Sequence, residues 1–166
     1  MEISRLEGMT SSATVRPLVV LDCDSTTIQD EVIELLAESA GTRAEVAEVT
    51  ERAMRGELDF AESLRERVAT LAGTPDTVFS EAYSKVRKSA GIDALVNEVH
   101  ARGGLVGVVS GGFHEVLDPL AVDLGLDHWR ANRLEVVDGR LTGRVSGPII
   151  DADAKLDFFT KQVRTS

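Results

Sequence analysis

Residues 17–26 read Pro17-Leu18-Val19-Val20-Leu21-Asp22-Cys23-Asp24-Ser25-Thr26. A short apolar run ends in two carboxylates separated by one residue. A continuous apolar run of this length predicts a strand buried on both faces, as in a parallel sheet. Side chains i and i+2 of an extended chain face the same way, so Asp22 and Asp24 are expected to converge on one point. Open α/β sheets bind their ligands beyond the carboxyl ends of the strands, where these residues fall. Cys23 points to the other side and is expected in the core.

Downstream, the texture changes. Residues 31–40, 44–56, 60–73 and 75–88 all carry apolar residues at helical spacing. Gly41, Gly56 and Gly73 separate them, and Pro75 suits the opening of the fourth helix. Residues 92–104 then read as a helix ending at glycine, 105–110 as a second buried strand, and 113–126 as another helix. Pro119 is compatible with that helix only near its first turn or at a kink. Residues 131–147 hold two β-like runs around Val137-Asp138-Gly139-Arg140, and Asp-Gly between such runs predicts a hairpin. The tail, 151–163, places Leu156, Phe159 and Val163 on one helical face. The pattern predicts an α/β core, residues 1–29 and 89–166, interrupted by an inserted all-α cap, residues 30–88.

Composition narrows the function classes. The 166 residues carry a net charge of −10, which argues against general nucleic-acid or anionic-membrane binding. One cysteine excludes an internal disulfide framework and fits a reducing, cytoplasmic setting. No stretch approaches the roughly 18 to 20 apolar residues that span a bilayer. The first 16 residues lack the apolar centre of a signal peptide and read as a flexible leader.

The chemistry-bearing residues are few. Two carboxylates held close repel unless a cation or a shared proton intervenes, and a hard, oxygen-ligated ion such as Mg²⁺ is a natural resolution. Taken alone, Asp22 and Asp24 suit the capping of a turn equally well. Ser110-Gly111-Gly112 ends the second strand and opens a helix. Glycines there let backbone N–H groups approach an anion, although an ordinary tight turn with Ser110 as helix cap needs the same residues. Lys155 alone reads as a solvated lysine, and Glu31 and Arg67 as members of an exposed helix face. Met54 and Phe60 read as cap core, and Trp129 as structural. His100, His114 and His128 show no ligand-like spacing.

Together, these stretches resemble the haloacid dehalogenase-like (HAD) phosphatases. Asp22-Cys23-Asp24-Ser25-Thr26 is similar to their first signature, Ser110-Gly111-Gly112 to their second, and Lys155 stands where the third is expected. IQDEVIELLA, AMRGELDFAESLRERVATLAG, VGVVSGGF and ANRLEVVDGRLTG resemble the phosphoserine phosphatase branch. The resemblance implies a Rossmann-like HAD core with a C1-type helical cap, and Mg²⁺-dependent hydrolysis of O-phosphoserine through an aspartyl-phosphate. It implies Asp22 as nucleophile and metal ligand. Asp24 would be general acid and base, its carbonyl on the metal. Lys155 would stabilise the phosphorylated aspartate. Ser110 and Gly111 would hold phosphate oxygens, Glu31 would meet the substrate's amino group and Arg67 its carboxylate, with Met54 and Phe60 lining the pocket. Serine biosynthesis would be its setting.

The family continues past the Lys155 helix with a strand ending in a Gly-Asp-Gly-x-x-Asp-type signature that supplies further metal ligands; here the sequence stops at Ser166. The expectation is therefore a chain truncated at its C-terminal side. It would hold Mg²⁺ weakly, with low turnover, and expose residues 17–22 as a sheet edge prone to self-association. Alternative readings are a phosphoserine- or phosphate-binding relative without turnover, and a phosphotransferase working from the same nucleophile.

Overall fold

The structure is a computed structural model that describes residues 16–151, 153–155 and 157–158. Residues 1–15 of the expected leader, and Leu156, Phe159 and Val163 of the tail helix, lie outside the described residues.

The apolar run forms β1 (Leu18–Leu21). Four helices follow: α1 (Val32–Ala40), α2 (Arg43–Met54), α3 (Phe60–Ala69) and α4 (Val78–Ser84). The chain then returns through α5 (Ile92–Ala101), β2 (Leu105–Phe113), α6 (His114–Leu124), β3 (His128–Val137) and β4 (Arg140–Ser146). The sheet order is β1-β2-β3-β4; the first two pairings are parallel and the last is antiparallel. Among the described residues, β1 has β2 as its one hydrogen-bonded neighbour. The β3–β4 hairpin turns on Asp138 (φ 50°) and Gly139 (φ 72°). Both lie in the left-handed region, which is why Asp-Gly carries the hairpin signal.

Two boundaries depart from the periodicity, and one helix carries an internal proline. The fourth helix starts at Val78, not at Pro75, whose carbonyl accepts from the Val78 N–H while Pro75 bridges to Arg140. β3 starts at His128 because Trp129 and Arg130 join the ladder opposite Val108 and Val109. Pro119 sits in the second turn of α6, so the Glu115 carbonyl receives no amide from it.

The apolar faces meet in one continuous core. Val32, Leu36, Val46, Leu64, Val68 and Leu71 fill the helical block, and Val106, Val108, Phe113, Leu117 and Leu120 fill the sheet–helix layer. The two chain segments joining these layers run side by side. Ile28 bridges Lys88, the Gln29 N–H donates to the Arg87 carbonyl at 2.8 Å, and the Ser89 N–H donates to Thr27 at 3.0 Å. The Arg87 guanidinium grips the Asp30 carboxylate at 2.6 Å, and the Arg87 N–H reaches its other oxygen at 2.8 Å. This double-stranded joint fixes where the helical block meets the sheet.

Candidate active site

β1 ends at Leu21, and Asp22 is still extended (φ −77°, ψ 161°), as is Asp24 (φ −62°, ψ 132°). Extended backbone thus recurs at both aspartates beyond the end of the strand. Both carboxylates line one cavity of about 260 Å³, while Cys23 between them is fully buried. Burial pushes the Cys23 thiol well above its ordinary range, and it stays a neutral core residue. The chain then closes a wide turn over Cys23–Thr27, with the Ile28 N–H bonded to the Cys23 carbonyl at 3.1 Å.

Asp22 is held from several sides. Its Oδ1 accepts from the Cys23 N–H at 2.8 Å, and its Oδ2 lies 2.7 Å from Lys155 Nζ. Its carbonyl accepts from Thr27 Oγ1 at 2.7 Å, and Thr27 is fully buried. Lys155 reaches the site because Asp151 caps its helical turn. The Asp151 side chain accepts from the Ala154 N–H at 2.9 Å and its carbonyl accepts from the Lys155 N–H at 3.0 Å.

Asp24 has a different environment. Its Oδ1 accepts one long bond from the Val32 N–H, 3.3 Å. Desolvation, followed by the nearby charge of Glu31, raises its pKa to about 7. The paired carboxylates therefore differ: Asp22 faces an ammonium, and Asp24 sits where its proton is retained near neutrality.

The second signature lies against them. Gly111, Gly112 and Phe113 line the cavity, whereas Ser110 is buried just beneath, its Oγ accepting from the Gly112 N–H at 2.9 Å. A side chain at Gly112 would stand 3.2 Å from Val32 Cβ, so glycine is what lets α1 approach the turn. β2 runs through this turn to Phe113, longer than the 105–110 expected.

The helical block supplies the opposite wall. Glu31 precedes α1 and accepts from Ser25 Oγ at 2.6 Å. Arg67 projects from α3, which is started by a reciprocal cap between Asp59 and Glu62. Its Nε donates to the Ser63 carbonyl at 3.2 Å; burial lowers its pKa, with Glu31, Asp24 and Glu34 opposing. Phe60 Cζ comes within 3.3 Å of where a Gly111 side chain would begin, so it closes the cavity from above. Met54 stands apart: it ends α2, is 83% exposed and does not line the cavity.

The fold thus brings together Asp22, Asp24, Lys155, Gly111, Glu31, Phe60 and Arg67 around one space, with Ser110 behind the wall. Ser25 and Thr27 support them through bonds to Glu31 and Asp22, without having been singled out from sequence. Their only sequence signal is their place within Asp-Cys-Asp-Ser-Thr-Thr, since their partners are known only once the turn closes. A larger cleft, about 550 Å³, lies between Arg65 and the β4 side, but no carboxylate pair converges there.

Among the described residues, no three acidic, histidine or cysteine side chains gather closely enough to enclose a metal ion. The cavity instead offers the carboxylates of Asp22 and Asp24. Such oxygen donors suit Mg²⁺, which keeps several waters and completes its shell with substrate phosphate.

The family model described as haloacid dehalogenase-like hydrolase matches residues 19–163. The chain belongs to the haloacid dehalogenase-like hydrolase family. Among curated relatives, it is 56% identical over 142 residues to the phosphoserine phosphatase of Streptococcus thermophilus, covering 86% of this chain and 66% of that protein. It is 38% identical over 146 residues to that of Methanocaldococcus jannaschii, covering 88% and 69%. A solved substrate-bound phosphoserine phosphatase complex superposes with a TM-score of 0.84 at 36% identity, covering 91% of this chain and 72% of that one. The chain thus spans about two thirds of these relatives, and 34% of the Streptomyces coelicolor phosphoserine phosphatase. Like other haloacid dehalogenase-like hydrolases, it has an α/β core. No described helix is long and apolar enough to cross a membrane.

Proposed function

We propose that this protein hydrolyses O-phosphoserine with Mg²⁺, through a phosphoryl group carried briefly on Asp22. The observation that carries this reading is the meeting of two unlike sets of groups in one small cavity. The sheet side brings Asp22, Lys155 and the Gly111–Gly112 turn; the helical side brings Glu31 and Arg67. The first set suits a phosphate, and the second suits an ammonium beside a carboxylate.

An Asp22 oxygen attacks phosphorus as the bond from phosphorus to the serine oxygen breaks. Asp24, protonated near neutrality, gives its proton to that leaving oxygen. It then takes a proton from a water that attacks the phosphorylated Asp22. The aspartyl P–O bond breaks, phosphate leaves and Asp24 is protonated again. Lys155 balances charge on Asp22 throughout. Asp22 and the Asp24 carbonyl would hold Mg²⁺, which when bound would supply positive charge between the phosphoryl dianion and its carboxylate nucleophile. Because the described donor set is small, activity should climb with Mg²⁺ concentration.

We assign residues 30–88 as the cap, with Glu31, Phe60 and Arg67 as its contribution to substrate binding. Met54, at the exposed end of α2, belongs to its outer rim. The names of the relatives support the substrate, and the charge pattern supports it independently. The test is phosphate release from O-phosphoserine with Mg²⁺, set against Asp22→Asn. Release by the parent protein that the variant lacks is expected. Equal release by both would remove this site from the account.

A further inference from the structure

The ladder between β2 and β3 breaks beside the anion turn. Val109 pairs with Arg130, and the next pairing is Phe113 with Asn132. Ser110, Gly111 and Gly112 therefore leave the ladder, and their backbone groups need other partners. Asn132 supplies one. It is 1% exposed, and its Nδ2 donates to the Gly111 carbonyl at 2.9 Å.

That bond fixes one end of the Gly111–Gly112 peptide. The other end, the Gly112 N–H, donates to Ser110 Oγ at 2.9 Å. The peptide is pinned at both ends, so the orientation of the anion turn depends on Asn132. Ser110 spends acceptor capacity on this bond, and its hydroxyl also lies within hydrogen-bonding reach of the Cys23 thiol.

The other face of the same amide reaches a third segment. Asn132 Oδ1 accepts from the Ile150 N–H at 2.8 Å, in a buried setting. Ile150 directly precedes Asp151, which caps the turn carrying Lys155. One planar side chain thus joins the serine–glycine turn to the lysine segment. No other side chain of this length offers a fixed donor on one edge and an acceptor on the other.

We propose that Asn132 is a positioning residue: it sets the spacing between the Ser110–Gly112 turn and Lys155 so that both meet one phosphoryl group. This rests on the phosphomonoesterase reading above. Asn132 touches no reacting atom. It acts through the Gly111 carbonyl on one side and the Ile150 amide on the other.

The test compares the parent with Asn132→Asp, which keeps the acceptor for Ile150 and loses the donor to Gly111, and Asn132→Leu, which loses both. Leu134→Ala, a buried change in the same strand, controls for lost stability. Asn132→Asp should lower kcat for O-phosphoserine about tenfold or more, with a smaller change in KM, because small displacements of positioned groups are costly. In amide spectra the Gly112 resonance should move while that of Ile150 stays. Leu134→Ala, at equal folded fraction, should keep kcat within about twofold. If Asn132→Leu does not fold, Asn132→Asp decides alone. A kcat for Asn132→Asp no lower than that of Leu134→Ala would overturn the proposal.

If the parent itself releases no phosphate from O-phosphoserine, the functional reading fails separately. Binding of inorganic phosphate then decides the positioning claim. A Kd weakened about fivefold or more in Asn132→Asp upholds it, and an unchanged Kd overturns it.

Discussion

The two walls of the cavity are built differently. On the sheet side, each group is held by the protein alone: Asp22 by the Cys23 amide, Thr27 and Lys155, and the Gly111–Gly112 peptide at both ends. On the helical side, Glu31 takes one bond from exposed Ser25, and the Arg67 guanidinium makes one hydrogen bond among the described residues, to Ser63. The difference separates two tasks. Charge stabilisation in a transition state needs groups fixed in advance. Recognition of a zwitterionic end needs groups whose best partners arrive with the ligand.

That contrast can be broken first at Arg67. Replacing it with alanine should lower kcat/KM about 100-fold, mostly through KM, as expected for losing a charged hydrogen-bond partner. Lysine should restore little, because its point charge cannot match a planar carboxylate on two bonds. Steady-state kinetics on O-phosphoserine measure both. A loss confined to kcat would move Arg67 to the chemical side.

Asp24 sharpens the contrast through pH. Its folded pKa, about 7, lies above the unfolded value, so the folded state binds the extra proton. Stability linked to this group is therefore fully present below about pH 4 and lost as pH rises to about 7. Without metal, Asp24→Asn should be more stable than the parent at pH 8 by about 2 kcal/mol, and the gain should shrink toward pH 4. Urea midpoints at the two pH values read this out. A variant less stable than the parent at pH 8 would contradict the half-buried, protonated assignment.

Thr27→Val keeps the shape and leaves the Asp22 carbonyl without its partner. A stability loss of about 1–2 kcal/mol is expected, with turnover reduced although no substrate contact is removed. The smallest effect belongs to the exposed rim. Met54→Ala should change stability by less than about 0.5 kcal/mol and leave kcat near the parent value. A larger stability loss would mean that α2 ends in a packed environment.

Much of the fold was legible in the sequence because periodicity reports burial directly. The run 18–21, the four helical segments and the Asp138-Gly139 turn all express a local rule. Pro75 and the start of β3 did not, since each depends on a partner far along the chain: Arg140 for the first, Val108 and Val109 for the second. The site followed the same division. Asp22 and Asp24 could be paired by the alternation of extended chain alone. Lys155 could not be placed from the residues, because its 2.7 Å contact spans the whole α/β core. Thr27, Ser25 and Asn132 are ordinary polar residues in sequence and acquire roles only through tertiary hydrogen bonds. Met54 shows the converse, since helical spacing marked it as core and the structure leaves it at an exposed helix end.

The most direct measurement is a rapid acid quench of the protein with phosphate-labelled O-phosphoserine and Mg²⁺, followed by peptide mapping. The account predicts hydroxylamine-sensitive label on the peptide containing Asp22, absent from Asp22→Asn. Phosphate released with no label on that peptide, or with label on another residue, would contradict it.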